Sequence, residues 1–483
     1  MRSTPISGSP DTGARPRPPT FRVVIIGGGL AGMAAAAALD SAGLHVTLIE
    51  ARKTLGGRAG SFRDPITDEV LDNCQHVLLG CCTNLLDFYR RLGVAERIQF
   101  ENAIHFLDGE GSSFNLFGVR GLPAPLHLGP AFLGFTALTA TERLALSRAM
   151  LAMMRLGRAG RLALDDLPFG AWLEQLRQPA SLIRKLYDPV LISALNEETR
   201  SVSSSYAIQV FVDSLLANSA GHRLGLPACP LSELYSQLPC ADVRASTRVN
   251  GLDFSSDGRC QGVRVGADEL LPAEAVVLAI NHHTLAKWIP DEFSRRDERF
   301  SHLDRLESVP ILGAHLWFDR PVLRESHAAL IEGPLQWLFR KDASGSAVHG
   351  VISAARDWVD RSKEECLPLF EKQVRGTLRR ARDSRLVRGV IVVEKRATFS
   401  VLPGLEQYRP AQGPPAGGLS NVYLAGDYTR TGWPATMEGA VRSGYLAAEA
   451  LMRAAKPSWK GGFLVPDLPL QWPAQLLGAG GNR

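Results

Sequence analysis

Gly27-Gly28-Gly29-Leu30-Ala31-Gly32 has the composition and spacing to hold a phosphate. Gly27 permits a tight turn, Gly29 lets backbone approach a pyrophosphate, and Gly32 lets a helix pack closely on a strand. Phe21 to Ile26 before it is short, β-branched and bounded by glycine, as a fully buried strand is. Met33 to Leu39 after it is an alanine-rich helix, whose N-terminal amides would face the phosphates. His45 to Glu50 is a second strand. Glu50 ends it 23 residues after Gly27, where a carboxylate can bind ribose hydroxyls. Strand, glycine turn, helix, strand and terminal acid together predict a bound dinucleotide.

Two further segments select the dinucleotide. Gly56-Gly57-Arg58 brings an arginine toward the same phosphates at close backbone range. Far along the chain, Leu424-Ala-Gly-Asp427 places an acid after a buried strand, and a helix follows Thr436. That acid can bind a ribityl hydroxyl. The helix start at Thr436, Met437 and Glu438 can face a flavin ring and stabilise negative charge on it. An NAD enzyme needs neither feature, so the expected cofactor is FAD.

The elements that must position these residues indicate an α/β fold. It consists of a Rossmann-like, discontinuous FAD-binding domain and a substrate domain of sheet plus inserted helices. Residues 21–90, 230–295 and 395–456 are assigned to the first, and 91–229 and 296–394 to the second. Residues 84–100 are expected to be helical, with Leu85, Leu86, Phe88 and Leu92 on one face. Thr139 and Glu142 form a capping-box pattern before a helix reaching Leu156. Residues 165–218 also read as helical. Short strands follow at Asp242, Thr247 and Cys260–Val265, then a buried strand at Ala275–Ile280 and another at Ile311–Phe318. A helix is expected near 365–382 and a last one from Glu438 to Arg453. Residues 1–20 are expected to be a disordered lead-in and 457–483 an irregular tail.

Composition excludes several roles. The chain has 483 residues, enough for two lobes. Basic and acidic residues number 54 and 49, a net charge of +5, which gives a nucleic-acid role no support. The seven cysteines match no zinc pattern and contain no CxxC, so no metal is expected and the thiols read as buried in a reducing compartment. Residues 1–20 have no apolar signal region, and no apolar run reaches the ~20 residues a spanning helix needs. The expected location is cytoplasmic, with peripheral membrane contact.

The chain resembles the flavin amine oxidase and phytoene desaturase superfamily from Val23 to about Leu451. Within it, Asp72-Asn-Cys-Gln-His-Val-Leu-Leu-Gly80, Leu195-Asn196, Gln336-Trp337 and the run from Thr431 to Tyr445 resemble the squalene-associated FAD-dependent desaturases. The better-defined members of that group are hydroxysqualene dehydroxylases of hopanoid biosynthesis. Cys74 departs from the glycine expected there, where a positive φ would strain it. Ile280-Asn-His282 lacks a proline common among relatives.

The resemblance implies reduction of hydroxysqualene to squalene with loss of water. It implies that Val243 contacts the adenine side and that Gln75, Asn196, Trp337 and Trp433 meet the substrate. A departing hydroxyl needs a proton donor, and the motif puts His76 near the flavin; His76 is either that donor or a simple hydrogen-bonding residue. Some relatives attach flavin through a C-terminal cysteine, but none follows Cys366, so FAD is expected to be non-covalent. Amine oxidases of the superfamily often carry a lysine where Gly313 stands here. A carotenoid-type desaturase and an amine oxidase remain alternatives, as does a non-catalytic, prenyl-lipid-binding escort of the same fold. The intact Glu50, Arg58 and Asp427 oppose the escort.

Overall fold

The computed structural model describes residues 21–109, 112–267 and 269–479, so the expected lead-in at 1–20 lies outside the described residues. Five strands form one parallel sheet: Arg22–Ile26, His45–Ile49, Asp242–Arg244, Ala275–Leu278 and Val422–Leu424. In chain order their spatial arrangement is third, second, first, fourth, fifth. That is the doubly wound order, whose topological switch point lies between the first and fourth strands. Both strands end there at glycine-loop height. Val24 pairs with Thr47 on one side and Val276 on the other.

The first helix, Leu30–Ser41, is buried from Leu30 to Leu39 because it lies between this sheet and the C-terminal helix, Met437–Ala455. Small side chains make that sandwich possible. A Cβ on Gly444 would overlap the Ala31 carbonyl oxygen and stand 2.9 Å from Ala34 Cβ. The alanine run therefore serves close backbone approach as well as helix propensity.

A second sheet of seven strands carries the other lobe. Its order is Leu386–Phe399, Ser308–Phe318, Ala347–Ile352, Trp337–Arg340, His327–Leu330, Ala103–Leu107 and Ser113–Phe117. Side chains alternate across it. Leu312, Ala314, Leu316, Leu338 and Val348 pack with Cys366, Phe370 and Val374 of the helix Lys363–Thr377. On the opposite face, Phe339 and Val351 cluster with Cys74, Val77, Ile311 and Trp337. The Leu386–Phe399 strand is continuous, so the boundary expected between 394 and 395 cuts a hydrogen-bonded strand and is corrected.

The inserted helices run from Ala140 to Leu216. Thr139 and Glu142 form the capping box in both directions. The helix they open runs on to Leu162, but Gly157 (φ 60°) kinks it one residue beyond the expected end at Leu156. The helix expected over 84–100 is shorter, Thr83–Arg91, because Gly93 turns the chain at φ 70° and Ile98–Glu101 forms a strand. The tail is irregular as far as Gln471 but well anchored. Asn84 bonds Val465 in both directions, Phe463 and Leu464 donate to Glu449, and Asn218 donates to Pro469.

No helix among the described residues is long and apolar enough to cross a membrane. The seven cysteines are free.

Candidate functional site

The glycine turn sits at the switch point. Gly27 has φ 111°, its amide donates to Ile49 O at 2.8 Å, and a Cβ there would collide with Ala279 O. A Cβ on Gly32 would collide with Gly27 O, so only glycine lets the helix start this close to the strand. Gly29 is different. Its φ of −76° suits any residue, and a Cβ there would meet nothing within 4 Å. Gly29 caps the first helix without a side chain, leaving the Leu30, Ala31 and Gly32 amides without intrahelical acceptors. An open space faced by free amides at a helix N-terminus suits a phosphate.

Glu50 closes the turn from the side. Its Oε2 accepts from Gly28 N at 2.7 Å and its Oε1 from Arg52 N at 2.7 Å. Each oxygen keeps a further lone pair for a ribose hydroxyl. Val243 lies on the edge strand beside this point, in register with Leu48, and is 39% exposed, so its side chain has open surface to offer.

Gly56 and Gly57 fold over the same turn. Gly56 has φ 112°, and its amide donates to Gly28 O at 2.8 Å. Gly57 has φ 59°, and a Cβ there would stand 3.2 Å from Gly29 Cα. Arg58 departs from expectation. Its guanidinium is turned to protein partners, donating to Asp427 Oδ1 at 2.7 Å and Ala397 O at 2.5 Å. The arginine thus links the N-terminal turn to the C-terminal acid. Asp427 is 6% exposed and follows Gly426 (φ 152°), whose amide donates to Ser443 Oγ. A small cavity opens here, lined by Arg58, Asn281, His282, Arg396, Asp427 and Tyr428 among others.

The start of the C-terminal helix supplies capping. Thr436 Oγ1 accepts from Gly439 N at 3.1 Å, and Met437 packs against the core around the first helix. Glu438 requires a correction. Its fully buried carboxylate accepts from Asn84 N, Asn84 Nδ2, Leu85 N and Arg442 Nε, so it caps the Thr83–Arg91 helix and is not a cofactor ligand.

The Asp72–Val77 segment lies against the apolar face of the seven-stranded sheet. Cys74 is not among the positive-φ residues, so the strain that a cysteine there could cause does not arise. Gln75 Oε1 accepts from Lys341 Nζ, which also pairs with Asp72. His76 Nδ1 lies 3.0 Å from Cys74 O, so Nδ1 carries the proton and Nε2 presents a lone pair. Burial lowers its pKa, which favours this neutral form. Trp337 is stacked on Phe339 and donates to Ser193 Oγ.

Asn196 is also corrected. Its amide donates to Val309 O and Thr398 Oγ1, and its oxygen accepts from Ala354 N, while φ is 53°. It is a left-handed helix cap clamped to the sheet, with both side-chain amide hydrogens committed to Val309 O and Thr398 Oγ1 and so no donor left for a substrate. Trp433 stands apart from the apolar face, under the Arg442 guanidinium at 4.8 Å.

Arg409 is the functional neighbour that motif reasoning misses. It is wholly buried and donates to Tyr206 Oη, Glu406, Asp427 O, Thr429 O and Thr431 Oγ1, fixing the Asp427 loop. His282 and Asn281 belong to the same group. Asn281 caps the helix His282–Trp288, and burial beside His283 pushes His282 down to about 4. Only the Asn-His-His run hints at them. Among the described residues no cluster of three metal-ligating side chains occurs.

Comparison with known proteins agrees with this geometry. Residues 30–452 match the family of flavin containing amine oxidoreductases. The chain is 27% identical over 467 residues to the 15-cis-phytoene desaturase of Synechococcus elongatus, covering 89% of this chain and 96% of that protein. It is 28% identical over 442 residues to the hydroxysqualene dehydroxylase of Sinorhizobium fredii, covering 88% and 97%. In fold it resembles putrescine oxidase bound to putrescine, with a TM-score of 0.64, 18% identity and coverage of 91% and 99%.

Proposed function

Since the chain belongs to the flavin-containing amine oxidoreductase family and is an FAD-dependent oxidoreductase, we propose that its substrate is a long apolar isoprenoid and its reaction the reductive dehydroxylation of hydroxysqualene to squalene. The observation that carries this reading is the sheet face beside Asp72–Val77. It presents Ile311, Trp337, Phe339 and Val351 with Cys74 and Val77, an apolar wall suited to a hydrocarbon. Gly313 stands on the same strand where amine-oxidising relatives often have lysine.

Gly27–Gly32 and Gly56–Gly57 would hold the pyrophosphate of FAD, Glu50 and Val243 its adenosine end, and Asp427 with the Met437 helix start its flavin end. Bound there in its reduced form, FAD would supply the hydride that replaces the hydroxyl on its carbon, and with one proton the balance is squalene, water and oxidised FAD. The protein must exclude water from that carbon and deliver the proton. His76 is the residue proposed to meet the leaving hydroxyl. Its neutral Nδ1–H form makes it a hydrogen-bond acceptor at Nε2, and it becomes a proton donor only after taking up a proton.

An apolar substrate also needs a route from a bilayer. Leu126, Leu133, Leu144, Leu162, Trp472 and Leu476 are exposed at 49–77% and offer apolar surface for peripheral contact. Liposome flotation of the holoenzyme checks this; a protein that stays with the soluble fraction removes it.

Anaerobic incubation of the reduced holoenzyme with hydroxysqualene tests the reaction. Squalene is the expected product. Absence of squalene, together with desaturation of phytoene by the oxidised holoenzyme, would replace this reading with a carotenoid-type desaturase.

A further inference from the structure

The helix Ala140–Leu162 has one face in the core and one outside. Leu144, Arg148, Leu151 and Arg155 recur every three or four residues and so share the outer face up to the kink at Gly157. Arg158 follows the kink. Arg148, Arg155 and Arg158 are exposed, as is Leu144. None of the three arginines makes a hydrogen bond or ion pair among the described residues. The helix has one acid, Glu142, and it is buried against Lys185. A helix face kept in solvent by charge usually sets acids three or four residues from its cations. This face interleaves cations with leucine and leaves their charge uncompensated.

The C-terminal tail adds to the same surface. Gln471 fixes it: its amide donates to Ala217 O, its Nε2 donates to Ser219 Oγ, and its Oε1 accepts from Ser219 N and Ala124 N. From there the turn Gln475–Ala479 packs on the long helix, where a Cβ on Gly478 would stand 3.5 Å from Arg155 Cα. Although anchored, the segment leaves Trp472 61% and Leu476 77% exposed. A tryptophan and a leucine held out by a fixed turn beside unpaired arginines form an amphipathic set, not a frayed end.

The opposite face of the helix looks inward. Leu146, Met153 and Met154 are buried in the core cluster against which Trp337 of the apolar wall packs. The helix therefore stands between this outer surface and the wall proposed to hold the substrate.

We infer that the surface docks on an anionic lipid bilayer. Arg148, Arg155 and Arg158 meet the headgroup phosphates, and Leu144, Trp472 and Leu476 reach the acyl boundary. Arginine suits this place because its stem packs on apolar neighbours while the guanidinium stays at the phosphates. The inference rests on the proposed isoprenoid substrate and deepens it, by naming a negatively charged membrane as the reservoir that the substrate comes from.

Co-sedimentation of the FAD-loaded full chain with vesicles tests it. One set is phosphatidylcholine alone, the other phosphatidylcholine with about one-third phosphatidylglycerol. Wild type should bind the anionic set roughly a hundredfold more tightly, about fivefold for each arginine, and lose most of that on raising salt from about 0.1 to 0.5 M. A variant combining Arg148→Gln, Arg155→Gln and Arg158→Gln should bind both sets equally, whereas lysine at the same places should keep the preference. Trp472→Ala with Leu476→Ala should weaken binding to both sets. All these side chains are exposed, so retained flavin checks the fold, and squalene formation from detergent-dispersed hydroxysqualene should match wild type. Wild type that binds both sets equally, or a glutamine variant that keeps the preference, overturns the surface, while squalene formation in the same samples leaves the reaction standing. Wild type that binds neither set overturns it in favour of a protein partner. Arginine-dependent anionic binding without squalene formation supports the surface and counts against the dehydroxylation alone.

Discussion

Arg58 Nη2 lies 2.7 Å from Asp427 Oδ1, joining residues 369 positions apart. The pair joins the two ends of the proposed cofactor cradle, one carried by the Gly56–Gly57 turn and the other by the loop after Val422–Leu424. Asp427→Asn keeps the shape and removes the charge. FAD affinity is expected to fall about tenfold or more, with Arg58→Ala acting in the same direction and the double variant less than additive. Flavin content after ultrafiltration measures it; full retention in both single variants would remove the pair from cofactor binding.

Two glycines of one motif should behave differently. Gly32→Ala drives a methyl into the Gly27 carbonyl and should destabilise even the apoprotein. Gly29→Ala meets nothing in the protein and suits its φ, so apoprotein stability should change by only about 0.5 kcal/mol or less. Its FAD affinity should nevertheless fall, because the open space is the one assigned to phosphate. Thermal unfolding of both apoproteins with an FAD titration of each checks this; normal FAD binding by Gly29→Ala would relocate the phosphate.

Glu438 should matter for stability. Removing a buried carboxylate that caps one helix leaves the Asn84 and Leu85 amides without their acceptor and the Arg442 guanidinium with Asp467 as its remaining carboxylate partner, a loss of about 2 to 3 kcal/mol. Glu438→Ala is therefore expected to unfold at lower denaturant concentration than wild type. Glu438→Gln, which still accepts from one amide, should fall between them. Equal midpoints for wild type and Glu438→Ala would overturn the capping role.

Buried histidines should make stability decline on acidification. Burial pushes His127, His282 and His327 down to about 4 from an ordinary 6.5. Between those values the unfolded chain binds more protons than the folded one, so stability present above pH 6.5 is lost as pH falls toward 4. Burial works against the Glu142 carboxylate, but hydrogen bonds from Ser181, Thr139 and Lys185 outweigh it and hold the group at about 2, which adds a further loss below pH 4.5. Thermal midpoints at pH 7.5, 6 and 5, at constant ionic strength, should decrease in that order. A flat profile would show that the three imidazoles are hydrated.

Local signals make much of the fold legible. The Gly27–Gly32 turn, its flanking buried strands and the Thr139–Glu142 box each lie within a few tens of residues, and each states its own geometry. The Thr83–Arg91 helix is overextended in sequence because its hydrophobic period runs on to Leu92, while Gly93 turns the chain. Side-chain roles are less legible. Glu438 has helix-start chemistry, yet its partners Asn84 and Leu85 are 354 and 353 residues away. The resemblance implies that Asn196 meets a substrate, but the sheet takes both hydrogens of its side-chain amide. The close packing of His349 on Gly313 has no motif at all, since it exists only where two strands align.

The order of the parallel sheet also bears on biosynthesis. Its last strand, Val422–Leu424, pairs with Ala275–Leu278, and Asp427 follows immediately. During translation the Ala275–Leu278 strand therefore waits as an open apolar edge through the whole synthesis of the seven-stranded sheet's later strands. Asp427 of the proposed flavin site is made later still, so truncation before residue 424 is expected to give an aggregation-prone remnant instead of a weaker flavoprotein.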